Sequence, residues 1–368
     1  MKDVVALINL HNNASLGLLS ENRPIASTTF LGRYAFIDFV LSNLTNSNIS
    51  NIGILVKDHI RSITKHLSGK IQFLSNTKSG FELFFLNEKG LSNPLYNTDV
   101  NNILENDWFL YDNKIKYILV APVNYILSCD YDEVIRAHVK SKKYISVLAK
   151  EFASLDDPSL KGATGLNVKN NTVDSIFNVY SQKEKGFVSL ETYVFDVDYL
   201  KELLYTSRNY NQIITLREII DNLITKREDI NVIEFKKNVK RINSLEDYFN
   251  LSMECLNNED LMDDLFAKDW PIYTITHNSR PTLYDKDASV KNSLVANGSY
   301  IKGTVKNSVL SRHVHVEEGA VVENSIIFTN TVIKKGVHLK NVISDKHCVI
   351  NNDSCSDEIK YIPQGAKI

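Results

Sequence analysis

Three Asn-Ser pairs near the end of the chain, each followed by two aliphatic residues, limit its possible folds more than any other feature. They are Asn292-Ser293 before Leu294-Val295, Asn307-Ser308 before Val309-Leu310, and Asn324-Ser325 before Ile326-Ile327. A looser copy is Asn341 before Val342-Ile343. Aliphatics also return at every sixth position, as in Ile327, Ile333 and Leu339 or Val316 and Val322. Gly298, Gly303, Gly319 and Gly336 fall between these runs. Stacked coils that turn on small residues and share one aliphatic core produce this register. Residues 288–368 are therefore expected to form a three-faced parallel β-helix. A β-sandwich with Asn and Gly turns would have no reason to keep a six-residue step.

The first 256 residues show another rhythm. Val4–Leu10, Ile52–Val56, Tyr117–Ala121 and Ile145–Lys150 are short apolar runs that predict buried strands. Between and after them, Tyr34–Asn46, His59–Leu67, Tyr131–Lys142, Leu216–Thr225 and Leu245–Leu256 predict helices, the third with apolar Val134, Ile135 and Val139. This alternation predicts an α/β domain with a mostly parallel sheet. Residues 257–287, opening on the polar run Asn257–Lys268, are expected to link it to the β-helix. Two domains suit a chain of 368 residues.

Bulk properties exclude some partners. The chain carries 42 Lys plus Arg against 44 Asp plus Glu, so its net charge favours neither nucleic acid nor an anionic membrane. No apolar run reaches membrane-spanning length, and Val4–Ile8 is too short for a signal sequence. The four cysteines (Cys129, Cys255, Cys348 and Cys355) form no CxxC pair, which predicts reduced thiols in a cytoplasmic protein without a zinc site.

Several stretches carry a family resemblance. Arg23-Pro24, the block Phe30-Leu31-Gly32-Arg33-Tyr34-Ala35-Phe36-Ile37-Asp38-Phe39, Leu41-Ser42-Asn43 and Asn46-Ser47 resemble one long segment of bacterial ADP-glucose pyrophosphorylases. Ser68-Gly69-Lys70, Asp130-Tyr131 and Asp247-Tyr248-Phe249 resemble shorter motifs of that family, and the Asn-Ser repeats resemble its C-terminal domain. The resemblance implies a Rossmann-like nucleotidyltransferase domain followed by a left-handed parallel β-helix. It also implies the family reaction, in which the phosphate of glucose 1-phosphate attacks the α-phosphate of ATP. Such chemistry needs phosphates cradled by glycine amides, a bound Mg²⁺ and cations facing the developing charge.

The chain departs from the family at each of those needs. The glycine-rich loop is replaced by Leu10-His11-Asn12-Asn13-Ala14-Ser15, with Ser15 in place of an arginine. Alignment with the family's motifs puts Asn124 at the first metal aspartate and Arg241 at the second. An amide offers Mg²⁺ no charge. A guanidinium repels it: two unit charges about 4 Å apart interact by roughly 4 kcal/mol at an effective dielectric near 20, and a divalent ion by about twice that. Arg241 holding nucleotide phosphates directly is the alternative use of that cation. Ile25 stands where many active members carry an effector-binding lysine, and Glu191, in Val188–Phe195, replaces a glycine of the sugar-contact strand. Lys183 and Lys185 lie near the place of the glucose-phosphate lysine; with Arg33 and Ser189 they are the candidates for residual ligand binding.

With Asn9-Leu10-His11 and Arg23-Pro24-Ile25-Ala26-Ser27, this pattern is similar to the D-type regulatory subunits of some Gram-positive glycogen operons. The resemblance implies a subunit without a catalytic site or metal of its own. It would join a catalytic ADP-glucose pyrophosphorylase subunit, which carries the Mg²⁺, in a heterotetramer that responds to a sugar-phosphate or nucleotide effector. The alternatives are an independent sugar-nucleotide pyrophosphorylase with an altered loop, and a β-helix acyltransferase, for which no histidine context is evident. His11 fits a turn better than a phosphate contact, and Asp38 fits a helix start. Arg61, Lys65, His66 and Lys70 fit a solvated face, and His313, His315, His338 and His347 lack the spacing of metal ligands.

Overall fold

The computed structural model describes residues 3–11, 14–68, 82–86, 94–180 and 184–368. Packing divides the chain into two units that do not follow its order. The first holds residues 1–13, 39–241 and 268–273, and the second holds 14–38, 242–267 and 274–368.

The first unit is built on a nine-stranded sheet. Val4–Asn9 (β1), Asn51–Leu55 (β2), Glu82–Leu86 (β3) and Tyr117–Pro122 (β4) form its parallel part, in the order β3-β2-β1-β4. Next come Ile145–Phe152 (β5), Thr164–Lys169 (β6), Thr172–Asn178 (β7), Gly186–Asp196 (β8) and Asn231–Glu234 (β9). Strand β8 lies between β4 and β5 and runs antiparallel to both, whereas β9 is parallel to β5. The α/β architecture expected from the sequence is present. An apolar run announces a buried strand but not its direction, so the reversed β8 could not be foreseen.

The helices are Phe36–Asn46 (α1), Ile60–Leu67 (α2), Asp99–Leu104 (α3), Tyr131–Ser141 (α4), Val197–Tyr210 (α5) and Leu216–Thr225 (α6). Alternate strand residues, among them Val5 and Leu7, Ile118 and Val120, Tyr193 and Phe195, join one core with Ile103 of α3, Leu200 and Leu204 of α5, and Ile220 and Leu223 of α6. Fully burying each such aliphatic contributes about 1.5–3 kcal/mol. Start signals are explicit. The Asp130 carboxylate accepts from the Asp132 amide at 2.9 Å to open α4, and Thr215 with Glu218 forms a capping box for α6. In α4, Val134 and Ile135 are buried, but Val139, the third apolar residue of that run, is exposed.

The second unit carries the β-helix. One face stacks Leu283–Tyr284, Tyr300–Ile301, His315–Val316, Val332–Ile333 and Val349–Ile350, all in parallel. Two further faces stack the strands on either side of the Asn-Ser pairs. Ile301, Val316, Val322, Ile327, Ile333 and Leu339 share one core, so the aliphatic register has the role expected of it.

The asparagines are the corners. Asn292, Asn307, Asn324 and Asn341 all have φ between 45° and 56°. Asparagine tolerates this left-handed region better than most residues. Each amide donates to the next asparagine in the stack, from Asn292 to Asn307 and from Asn307 to Asn324 at 2.9 Å, then from Asn324 to Asn341. Each serine hydroxyl donates within its own coil and accepts an amide of the next, as from Ser325 to Ser308 at 3.0 Å. Gly303 serves a different corner: a Cβ there would lie 2.2 Å from the Ala320 carbonyl oxygen of the next coil.

Leu245–Asn257 (α7) opens with a Ser244/Asp247 capping box, and Asn257 at its end bonds to both Asn292 and Asn307. The polar run expected to be a linker contains a further helix, Glu259–Leu265 (α8). Polar composition hid it, because only Leu261 and Leu265, one turn apart, are buried. Among the described residues, no helix is long and apolar enough to cross a membrane.

Candidate functional site

The segment after β1 is tied to α3. Asn9 Nδ2 donates to Asp99 Oδ2 at 2.8 Å, while Asp99 Oδ1 accepts the amides of Val100 and Leu216 at 2.9 Å. His11 Nε2 lies 2.8 Å from Asn102 Nδ2, which also donates to the Val56 carbonyl at 3.0 Å. An amide donor needs a lone pair on the ring nitrogen, so this imidazole is neutral. Burial, then nearby Lys57, holds its pKa at about 4. His11 is thus a packed turn residue. Asn12 and Asn13 lie outside the described residues.

This geometry has a pH consequence with a definite sign. Below about pH 6.5 the unfolded imidazole takes up a proton that the folded one refuses until about pH 4. The folded state therefore loses stability as pH falls through that window, by at most about 1.4 kcal/mol per pH unit from this group. Urea unfolding at pH 7 and pH 5 should show a smaller acid loss in His11→Gln than in the unaltered protein. Equal losses would show that His11 does not titrate in this way.

Asn124 and Arg241 are brought close. Tyr125–Ile126 and Lys240–Arg241 form a two-residue antiparallel pair in which Arg241 lies opposite Tyr125. Both polar residues are buried. Asn124 Oδ1 has no hydrogen-bond partner among the described residues. Arg241 Nη1 donates to the carbonyls of Ser159 at 2.7 Å and Lys161 at 3.1 Å, and the guanidinium lies 5.9 Å from the centre of the Tyr125 ring. A buried amide at one position and a buried guanidinium at the other do not suit Mg²⁺, which relies on carboxylates and substrate phosphates. No group of three or more His, Cys, Asp or Glu among the described residues could hold a metal ion.

Glu191 belongs to the same cluster. Its φ is +51°, and the pairing of β8 with β5 slips between Ser189 and Thr192. The backbone thus keeps a left-handed bulge of the kind glycine favours, although an L side chain costs about 1–2 kcal/mol there. Ser189 Oγ accepts the Glu191 amide at 3.1 Å, and the Tyr125 hydroxyl donates to the Ser189 carbonyl at 3.1 Å. The Glu191 carboxylate lies 3.9 Å from Arg217, whose other nitrogen donates to Thr164 Oγ1 at 2.7 Å. Burial raises the Glu191 pKa, and Arg217 and Arg241 oppose the shift. Nothing local singles out Arg217, which lies in the charged helix α6 and in no motif. The cations of this cluster already face a carboxylate of the chain itself.

The remaining candidates are placed as follows. Lys185 is an exposed residue 3.5 Å from Glu151, and Lys183 lies outside the described residues. Ser15 and Arg33 belong to the second unit. The Ser15 hydroxyl accepts the Gly17 amide at 3.2 Å, which makes it a turn cap. Arg33 is exposed, 5.2 Å over the Tyr34 ring. Asp38 accepts from the Ala35 amide at 2.8 Å and from Thr274 Oγ1 at 2.7 Å, the helix-start role expected of it. On α2, Arg61 and Lys65 are exposed while Ile63 and Leu67 are buried, as in a solvated face; Lys70 lies outside the described residues.

Comparison with known proteins adds independent findings. Residues 18–256 match the nucleotidyl transferase family model, and residues 280–355 match a GlmU-like C-terminal hexapeptide model. A glucose-1-phosphate adenylyltransferase from Fervidobacterium nodosum is 26% identical over 364 residues, covering 96% of this chain and 85% of that protein. A second, from Clostridium perfringens, is 26% identical over 348 residues, covering 90% of this chain and 86% of its own length.

Proposed function

The chain belongs to the nucleotidyl transferase family, and from that premise we propose that it is a catalytically degenerate, regulatory-type subunit of glucose-1-phosphate adenylyltransferase. In this role it serves glycogen synthesis by modulating an active partner subunit that carries the Mg²⁺ and the chemistry. It corresponds to the D-type regulatory subunits that its sequence resembles.

One observation carries the proposal. The two positions that the resemblance assigns to metal carboxylates hold a buried amide and a buried guanidinium. Arg241 Nη1 is committed to the Ser159 and Lys161 carbonyls, which speaks against its use as a phosphate clamp. The His11 and Glu191 contacts point the same way, since each fills with protein a place where phosphate chemistry needs open donors. Meanwhile the scaffold is well kept, with complete corner ladders and a continuous core. Surfaces are then what remains for function to act through. Binding to a partner can bias that partner's conformational equilibrium, and a coupling of about 1–3 kcal/mol changes apparent affinities roughly 5–150-fold.

The experiment is to mix the chain with a catalytic glucose-1-phosphate adenylyltransferase subunit from the same organism. Light scattering should give a mixed species of heterotetramer mass, and substrate or effector saturation of the partner should shift within that range. Two separate species with unchanged partner kinetics would end the proposal.

A further inference from the structure

A cleft lies in the first unit, at the other end of the sheet from Asn124. Asn124 follows the C-terminal end of β4, the side on which open α/β sheets receive their ligands. The cleft is built where β4 begins at Tyr117, β5 begins just after Tyr144, and β8 ends at Asp196. It encloses about 530 Å³.

Its walls are tyrosines. Tyr111 is 57% exposed and Tyr144 is 64% exposed, high values for rings of this size. Tyr144 stacks on Tyr199 with ring centres 5.3 Å apart and planes 22° apart, forming a double slab. Lys201 Nζ lies 5.2 Å from the centre of the Tyr111 ring and 3.0 Å from Asp198. The Tyr111 hydroxyl donates to the Tyr205 hydroxyl at 3.0 Å, which in turn bonds to Asp107. Main-chain bonds fix the rim, from the Asp196 amide to the Tyr144 carbonyl at 3.0 Å and from the Val197 amide to the Lys116 carbonyl at 2.9 Å.

The charges narrow the class of ligand. Asp112, Asp196 and Asp198 share the lining with Lys116 and Lys201. Three carboxylates disfavour a phosphate backbone or an anionic headgroup. So many charges also disfavour the core of a protein interface, which is depleted of them. Exposed ring faces beside mixed donors and acceptors suit a ligand with flat C–H faces and a hydroxyl edge, which is the chemistry of a pyranose. We propose that this cleft binds a chain of neutral sugars, with Tyr111 and Tyr144 as stacking platforms and the Asp and Lys side chains bonding to hydroxyls. The proposal does not depend on the regulatory-subunit reading.

The test is calorimetric titration of the full chain with maltoheptaose, cellohexaose and xylohexaose, supported by saturation-transfer NMR. At least one oligosaccharide should bind with a dissociation constant on the order of a millimolar, as expected for a small, partly open site. Tyr111→Ala and Tyr144→Ala should each weaken binding at least about tenfold, while Tyr144→Phe, which keeps the ring, should stay within about twofold. Both tyrosines are exposed, so unchanged unfolding midpoints should show that the variants fold. Saturating glucose 1-phosphate should not compete. Lack of saturable binding by any of the three sugars would overturn the proposal. So would indifference to both alanine substitutions, or competition by glucose 1-phosphate.

Discussion

Given ATP, glucose 1-phosphate and Mg²⁺, the isolated chain is expected to form ADP-glucose at least about a thousandfold more slowly than the ~10 s⁻¹ typical of enzymes. Losing one preorganised charge contact costs about 10²–10³ in rate, and here the loop, the metal position and its partner position are all altered. The repair series separates them. Asn124→Asp alone should restore almost nothing, because Arg241 still occupies the second metal position, opposite the neighbouring Tyr125, and His11 still bonds to Asn102. A combined Asn124→Asp and Arg241→Asp variant with a glycine-rich loop at 10–15 should recover measurably more. Because Arg241 also holds the Ser159 and Lys161 carbonyls, each variant needs an unfolding curve beside its assay. Near-normal turnover of the unaltered chain, or a large gain from Asn124→Asp alone, would refute the degenerate-site reading.

The largest stability effect is expected at Arg23. Its two terminal nitrogens donate to the two Asp345 oxygens at 2.8 Å, with both side chains almost fully buried. Asp345 also accepts from the Tyr361 hydroxyl at 2.8 Å and the Lys346 amide at 2.7 Å, and Arg23 donates to Gln364 at 3.0 Å. Arg23→Ala would leave this carboxylate buried without its cation, which should cost about 3–5 kcal/mol of unfolding free energy in urea. Removing both charges in Arg23→Met with Asp345→Leu should recover a substantial part of that loss, since a matched apolar pair avoids the desolvation penalty. A single-variant cost below about 1 kcal/mol would mean that the pair is not the anchor its geometry suggests.

Arg23 also shows how far sequence alone could go. Arg23-Pro24 stood out as a family marker, but its partner Asp345 is 322 residues away and belongs to no motif. The same holds for Asn9 and His11, whose partners lie on α3, 90 and 91 residues on. Local regularities were legible: the six-residue aliphatic step of the β-helix and the short apolar runs that became the parallel strands β1, β2 and β4. What remained hidden depends on pairing across the chain. Tyr125 reveals nothing until it is seen opposite Arg241, and Glu191 reads as a simple replacement until its φ of +51° shows that the bulge persisted beneath it.

The corners of the β-helix have a consequence for the length of the chain. Along the asparagine ladder, successive rungs are 15, 17 and 17 residues apart. The difference sits at one corner, where Lys302-Gly303 joins two strands in the short coil and Glu317–Ala320 does so in the next. The asparagine corners have no such latitude, because each amide must reach its neighbour above and below. Growth of this solenoid is therefore anisotropic: residues can be added or removed on one edge while another stays in strict register. That edge is where the longer turns emerge, laced by Lys334–Glu317 at 2.8 Å and Lys335–Glu318 at 3.0 Å. Insertions that keep the fold should collect there, giving the stack one variable side and one fixed spine.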